Sequence, residues 1–200
     1  RQLLFEIKEN RPLTKDIMEM ILAGDTSDIT RPGQFVNIKL DGLYLRRPIS
    51  VCDSEEGKLT LIYKVVGKGT EQMRDMTEGT LDILSSLGNG YDTSISGEKP
   101  LLIGGGVGVP PLYMLAKELR KEGKEVSVIL GFNTKDEIFY EEEFKALGCK
   151  VYVTTVDGSY GIKGFVTEAM KEIDYTHFFT CGPEPMLKAV WNASETSGQL

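Results

Sequence analysis

The 200-residue sequence predicts two domains, a small antiparallel β-barrel followed by an α/β unit with a doubly wound parallel sheet. Three observations carry that prediction. The first half alternates short β-branched runs with turn residues, the second half alternates apolar strands with helical patterns, and Gly97-Glu98-Lys99-Pro100 separates the two grammars. The length accommodates two compact domains of about 100 residues each. The expected division is residues 1–97 and 98–200.

In the first half, Ile17 to Ala23, Gln34 to Leu40, Arg47 to Cys52 and Leu59 to Val66 carry β-branched or alternating patterns, as strands of a small barrel do. A short helical stretch, Glu71 to Met76, precedes another strand near Leu81 to Leu84. Beyond Gly97 the reading is strand Leu101 to Ile103, helix Pro111 to Glu122, strand Val126 to Gly131 and helix Tyr140 to Leu147. It continues with strand Val151 to Val156, helix Val166 to Ile173, strand His177 to Cys181 and helix Pro185 to Glu195. Repeated βα units with short connections imply parallel strands with helices on both faces.

Composition narrows the function. With a net charge of −7 and no basic face in the sequence, nucleic-acid and anionic-membrane partners are not expected. No apolar run approaches the roughly 18 residues of a spanning helix, and Arg1-Gln2 does not open a secretory signal, so the expected location is the cytosol. Cys52, Cys149 and Cys181 are far apart and lack CxxC spacing, which suggests structural thiols and no closed metal site. His177, the only histidine, lies in the run Tyr175-Thr176-His177-Phe178-Phe179, where a packing role is expected over catalysis.

Four segments are candidates for chemistry. The run from Ile103 through Gly104, Gly105, Gly106, Val107 and Gly108 to Val109-Pro110-Pro111 follows a strand and opens a helix, where backbone N–H groups and the helix dipole suit a pyrophosphate. Its two prolines fit the first helical turn and depart from the usual GxGxxG fingerprint. Such a turn also occurs without a ligand. Thr180-Cys181-Gly182-Pro183-Glu184-Pro185-Met186 breaks sharply at the carboxyl end of the last strand, where open α/β sheets bind ligands. Cys181 either faces a nicotinamide ring there or is a small buried thiol. In the barrel half, Leu45-Arg46-Arg47-Pro48-Ile49-Ser50 places two cations and a hydroxyl by a strand, and arginine's planar fork suits a pyrophosphate. An Arg-Arg pair also serves on solvated surfaces and in salt bridges. Lys64-Val65-Val66-Gly67-Lys68-Gly69-Thr70 is a second phosphate-loop candidate leading into a short helix.

Taken together, these segments resemble the ferredoxin-reductase-like flavoproteins, in particular the branch of electron-transfer subunits that serve NAD-dependent dihydroorotate dehydrogenases. The resemblance spans nearly the whole chain. Its motifs are Arg31-Pro32-Gly33-Gln34-Phe35, Arg47-Pro48-Ile49-Ser50, Gly67-Lys68-Gly69-Thr70, Leu87-Gly88-Asn89-Gly90-Tyr91, the Gly104 to Pro111 run, Asp157-Gly158-Ser159-Tyr160-Gly161 and Cys181-Gly182-Pro183.

The resemblance implies an FAD-binding barrel and an NAD-binding α/β domain. Arg47, Pro48, Ile49 and Ser50 would line the flavin, with Arg47 on the FAD pyrophosphate and Ser50 near the isoalloxazine. Ile49 stands where the broader superfamily usually has an aromatic residue, and matches the dihydroorotate branch. Ile62, Tyr63 and Lys64 would flank the cofactor, and Gly69 and Thr70 would hold its phosphate. Gly104, Gly105, Gly106 and Gly108 would receive the dinucleotide pyrophosphate, and Cys181, Gly182 and Pro183 would border the nicotinamide. Val156-Asp157 replaces the Ser-Arg pair of enzymes that select the 2′-phosphorylated cofactor; a carboxylate accepts ribose hydroxyls and repels a phosphate, so NADH is expected over NADPH.

The implied chemistry is electron transfer from NADH through FAD, and in the complete protein a [2Fe–2S] cluster, to the FMN of a dihydroorotate dehydrogenase catalytic subunit in pyrimidine biosynthesis, within a hetero-oligomer. No side chain is expected to act as a catalytic acid or base. Family members continue into a cysteine-rich cluster-binding segment, and Ser197-Gly198-Gln199-Leu200 stands where that segment would begin, so truncation is expected. Alternatives are a related subunit of a sulfide dehydrogenase, hydrogenase or ferredoxin-dependent transhydrogenase, or a flavin-free scaffold.

Overall fold

A computed structural model describes residues 1–196 and divides into two compact units, Arg1–Tyr91 and residues 92 onward. Ser197 to Leu200, where a cluster-binding segment is expected to begin, lie outside the described residues.

The first unit is a closed six-stranded barrel of β1 (Gln2–Pro12), β2 (Ile17–Ala23), β3 (Phe35–Ile38), β4 (Arg47–Glu55), β5 (Lys58–Lys64) and β6 (Thr80–Leu87), in the order β1-β2-β5-β4-β3-β6 with every pairing antiparallel. The sheet closes because β1 pairs with both β2 and β6. β1 was not among the expected strands. Its inward positions, Phe5 and Ile7, are buried while Leu4, Glu6 and Lys8 face out, so much of its length reads as charged. Met20, Leu22, Val36, Ile38, Leu59, Leu61, Leu81 and Ile83 complete the barrel core with Phe5, and Met73 of α1 (Lys68–Arg74) joins them. α1 starts at Lys68, ahead of the expected Glu71. The cause is Thr70, whose hydroxyl accepts hydrogen bonds from Val66 N at 2.9 Å and Gly67 N at 3.2 Å and donates to Gly67 O, folding the glycine-rich lead-in into the helix start.

The second unit is a five-stranded parallel sheet in the order β10-β9-β8-β7-β11. Its strands are β7 (Pro100–Gly105), β8 (Ser127–Phe132), β9 (Lys150–Thr155), β10 (Ile162–Lys163) and β11 (His177–Cys181). Its helices are α2 (Pro110–Lys121), α3 (Glu141–Ala146), α4 (Val166–Met170) and α5 (Glu184–Thr196). Leu101, Ile103 and Ile129 pack with Val166, Ala169 and Met170 of α4 and Val190 of α5, while α2 buries Leu112, Leu115, Ala116 and Leu119. α4 is shorter than its apolar pattern predicts, because Glu172 N and Ile173 N donate to residues three earlier and tighten the last turn. The segment Ser96 to Lys99 is tied to the second unit: Thr176 Oγ1 donates to Ser96 O at 2.8 Å and accepts from Lys99 N at 3.0 Å. His177 stays in the strand, its ring 5.0 Å from that of Phe179 in an edge-on contact.

Candidate functional site

Two sets of loops carry the candidate residues, one in each unit. In the barrel, β4 begins at Arg47, paired with Ile38, and runs through Pro48, Ile49 and Ser50 opposite Asn37, Val36 and Phe35. The structure separates the two neighbouring arginines. Arg46 is used inside the fold: its guanidinium bridges Asp82 at 2.9 Å and donates to the carbonyls of Asn37 and Asp82, each at 3.2 Å. Arg47 donates to Leu45 O at 2.5 Å and has no ion pair among the described residues. Its guanidinium lies over Gly69, where a β-carbon would collide with Nε and sit 2.8 Å from Cζ. Arg47 and the loop from Gly67 to Thr70 are thus brought together, with glycine required at their contact. The Thr70 hydroxyl is occupied by its own loop, so Thr70 shapes the turn.

The β5 candidates divide by burial. Tyr63 is 2% exposed and its hydroxyl donates to Asn10 Oδ1 at 3.0 Å, while Asn10 Nδ2 donates to the carbonyls of Met73 and Met76. Burial pushes the Tyr63 phenol up to about 12. Ile62 is also buried, and Lys64 is exposed and bridges Asp16 at 3.2 Å. Asn10 gave no sequence signal, because a polar residue near a strand end reads as solvated. Two further motifs turn out to hold each other: Gln34 Oε1 accepts from Thr30 N and Arg31 N, and Tyr91 N donates to Pro32 O at 2.8 Å. Gly33 adopts φ +86° with the Tyr91 ring against it, so Arg31–Phe35 and Leu87–Tyr91 form an interlocked pair of turns.

In the second unit the glycine run joins β7 to α2, with Pro110 and Pro111 in the first turn of the helix. Cys181 pairs with Gly104, which brings the end of β11 beside the run. At Gly108 a β-carbon would strike the Cys181 carbonyl and lie 2.8 Å from Gly182 N. At Gly105 and Gly182 it would meet the Met186 side chain, at 2.6 Å from Sδ and 2.5 Å from Cε respectively. Gly106, at φ +53°, has open space around it. Backbone therefore packs on backbone at Gly108, the Met186 side chain fills the space against Gly105 and Gly182, and nothing lies within 4 Å of where a β-carbon would stand at Gly106. Met186 closes the candidate segment from Thr180, but nothing in the sequence marks its side chain as the one that packs against Gly105 and Gly182.

The loops after β8 and β9 lie together at the same carboxyl end. Val156 N and Asp157 N donate to Phe132 O and Asn133 O, extending that pairing past the strands. The Ser159 hydroxyl and amide hold the Asp157 carboxyl below the usual carboxylate range. Their hydrogen bonds reach Asp157 Oδ1 at 2.6 and 2.9 Å. The Ser159 hydroxyl accepts in turn from Lys135 N at 2.8 Å.

Comparison with known proteins identifies the chain's relatives. The family described as the oxidoreductase NAD-binding domain matches residues 102–192. The chain is 45% identical to the dihydroorotate dehydrogenase B (NAD(+)) electron transfer subunit of Fusobacterium nucleatum, over 97% of this chain and 80% of that protein. It is 46% identical to the Bacillus pumilus protein of the same name, over 92% of this chain and 75% of that one. Among solved structures, an NADH-dependent reduced ferredoxin-NADP oxidoreductase superposes with a TM-score of 0.84 at 34% identity, covering 96% of this chain and 72% of that one. A ferredoxin NADP+ reductase from Neisseria gonorrhoeae with bound FAD and NADP shares the fold, with a TM-score of 0.84 at 16% identity, over 98% of this chain and 91% of that one.

Proposed function

Because this chain belongs to the family of dihydroorotate dehydrogenase B (NAD(+)) electron transfer subunits, we propose that it passes electrons from NADH through FAD to the FMN of a catalytic subunit that oxidises dihydroorotate in pyrimidine biosynthesis. The observation that carries this reading is the 45% identity across nearly the whole chain. It is an NADH-dependent flavoprotein oxidoreductase with the ferredoxin-reductase fold. It works as one subunit of a hetero-oligomer in the cytoplasm, and among the described residues no helix is long and apolar enough to cross a membrane.

The residues present fit both dinucleotides. Arg47, held over Gly69 without a carboxylate partner among the described residues, offers a bidentate donor to the FAD pyrophosphate. Pro48, Ile49 and Ser50 follow it along β4 to line the flavin, with Ile62 and Lys64 of β5 in support and Tyr63 stiffening the strand from within. Gly106, open on the turn between β7 and α2, would offer its backbone to the NADH pyrophosphate, with Gly104, Gly105 and Gly108 allowing the close packing that shapes that turn. Cys181, Gly182 and Pro183 border the nicotinamide, and Asp157 accepts the ribose hydroxyls. When bound, FAD supplies the hydride-accepting and single-electron chemistry that no side chain here provides. These residues bind, orient and exclude water, and none needs to move a proton.

The same reading gives the complete protein a [2Fe–2S] cluster between FAD and FMN. Among the described residues no group of three ligating side chains is placed to hold a metal; Cys52 lies in β4, Cys149 in the loop before β9 and Cys181 at the end of β11. No step is assigned to a cluster on these residues.

The test is a visible spectrum of the protein reconstituted with FAD, taken before and after anaerobic NADH, and then with the dihydroorotate-oxidising partner. Flavin bleaching by NADH and reoxidation through the partner are expected. A colourless protein that fails to take up FAD would sink the flavoprotein assignment, and bleaching with transfer only to ferredoxin would favour a transhydrogenase-like subunit, a reading supported by the 34% identical oxidoreductase.

A further inference from the structure

We propose that Ser159 is a positioning residue for cofactor choice, fixing the Asp157 carboxylate where it accepts the ribose hydroxyls of NADH and excludes a ribose 2′-phosphate. The inference rests on the role given to Asp157 above and adds the device that makes that carboxylate selective. An exposed aspartate on a surface turn ordinarily samples several rotamers, and a carboxylate able to swing aside discriminates poorly. Here the side chain is held at one oxygen. Ser159 Oγ donates to Asp157 Oδ1 at 2.6 Å and Ser159 N to the same atom at 2.9 Å, so one residue grips a single carboxylate oxygen twice.

Ser159 is itself fixed from the neighbouring loop. Its Oγ accepts from Lys135 N at 2.8 Å, which makes a continuous chain from the backbone after β8, through the hydroxyl, to the carboxylate. The next residue is clamped as well: Tyr160 N donates to Thr155 Oγ1 at 3.1 Å, Thr155 Oγ1 donates to Tyr160 O at 2.6 Å, and Tyr160 OH donates to Glu141 Oε1 at 3.1 Å. With the turn braced against the end of β9 and the start of α3, the serine hydroxyl is placed before any ligand arrives. Ordering that would otherwise oppose binding is thus already present in the folded protein. Serine is suited to this because one hydroxyl accepts from Lys135 N and donates to Asp157 at once, whereas alanine does neither.

The experiment measures flavin reduction by NADH and by NADPH in the FAD-loaded full chain, comparing wild type with Ser159→Ala, Ser159→Thr and Asp157→Asn. Wild type is expected to prefer NADH. Ser159→Ala should lower the ratio of kcat/KM for NADH over NADPH by roughly threefold to tenfold, the range expected for one lost hydrogen bond, through a raised KM for NADH at unchanged kcat. Ser159→Thr, which keeps the hydroxyl, should restore the ratio. If Ser159→Ala slows both cofactors equally or changes neither, the positioning role is overturned while Asp157 keeps its own. If Asp157→Asn also leaves the preference intact, the reading of Asp157 fails and the inference fails with it.

Discussion

Replacing Gly108 with alanine puts the backbone-on-backbone contact of the nucleotide domain to a direct test. A β-carbon at this position would strike the Cys181 carbonyl and stand 2.8 Å from Gly182 N, inside any ordinary van der Waals separation. Neither neighbour gives way easily, since Cys181 ends β11 and is paired with Gly104 in the sheet. Overpacking of this kind costs about 1–3 kcal/mol. At 1.4 kcal/mol per factor of ten, the NADH step should lose between about 5-fold and 150-fold in kcat/KM if the strain falls on the loop geometry. If it falls on the folded state, the thermal midpoint drops by about 2–12 °C. The assay is anaerobic bleaching of the flavin by NADH, with FAD content and thermal midpoint measured on the same preparation. FAD content should stay unchanged, because Gly108 belongs to the second unit and the residues proposed to hold FAD to the barrel. An alanine variant with wild-type bleaching and an unchanged midpoint would refute the close approach and the cradle inferred from it.

The paired arginines should part in their effects. Arg47→Ala should purify with reduced FAD content at near-normal stability, whereas Arg46→Ala should lose about 1–3 kcal/mol of stability through its partly buried bonds to Asp82 and two carbonyls; equal flavin loss in both, measured on purified protein, would contradict the separation. Tyr63 contributes a pH dependence. Its folded phenol is raised from 10.0 to about 12, so the neutral form is favoured by folding and its contribution is complete below pH 10. It is lost as pH rises through 12, amounting to about 2–3 kcal/mol. Tyr63→Phe should flatten that alkaline loss in denaturant titrations while removing one hydrogen bond worth about 1 kcal/mol at neutral pH.

Much of the architecture was legible because burial imposes period on the sequence. β2 and β11 appear with the expected bounds, since each is mostly apolar or aromatic and β2 is bounded by Asp16 and Gly24, β11 by Thr176 and Gly182. β1 was hidden by its charged outward face, and β10 is too short for any period to register. The glycines of the nucleotide loop were readable as a class, but their partners were not. That Gly108 meets Cys181, that Met186 fits between Gly105 and Gly182, and that Ser159 reaches Lys135 all depend on loops distant in sequence. The same limit applied to Arg46 and Arg47, identical in type and adjacent in sequence, whose different fates were decided by Asp82 far along the chain.

Closure of the barrel by its first strand also bears on how the chain comes to be folded. Gln2 pairs with Leu84 and Phe5 with Leu81, so the N-terminal strand cannot find its second partner until β6 has emerged from the ribosome. Until then it is half-paired against β2, and an open sheet presents unsatisfied N–H and C=O groups along two strands. The sheet of the second unit grows outward from β7, with β8 and β11 on either side and the two-residue β10 beyond β9. The barrel is therefore open to mispairing until β6 is made, and changes at β1 should show themselves in soluble yield before they show in electron transfer.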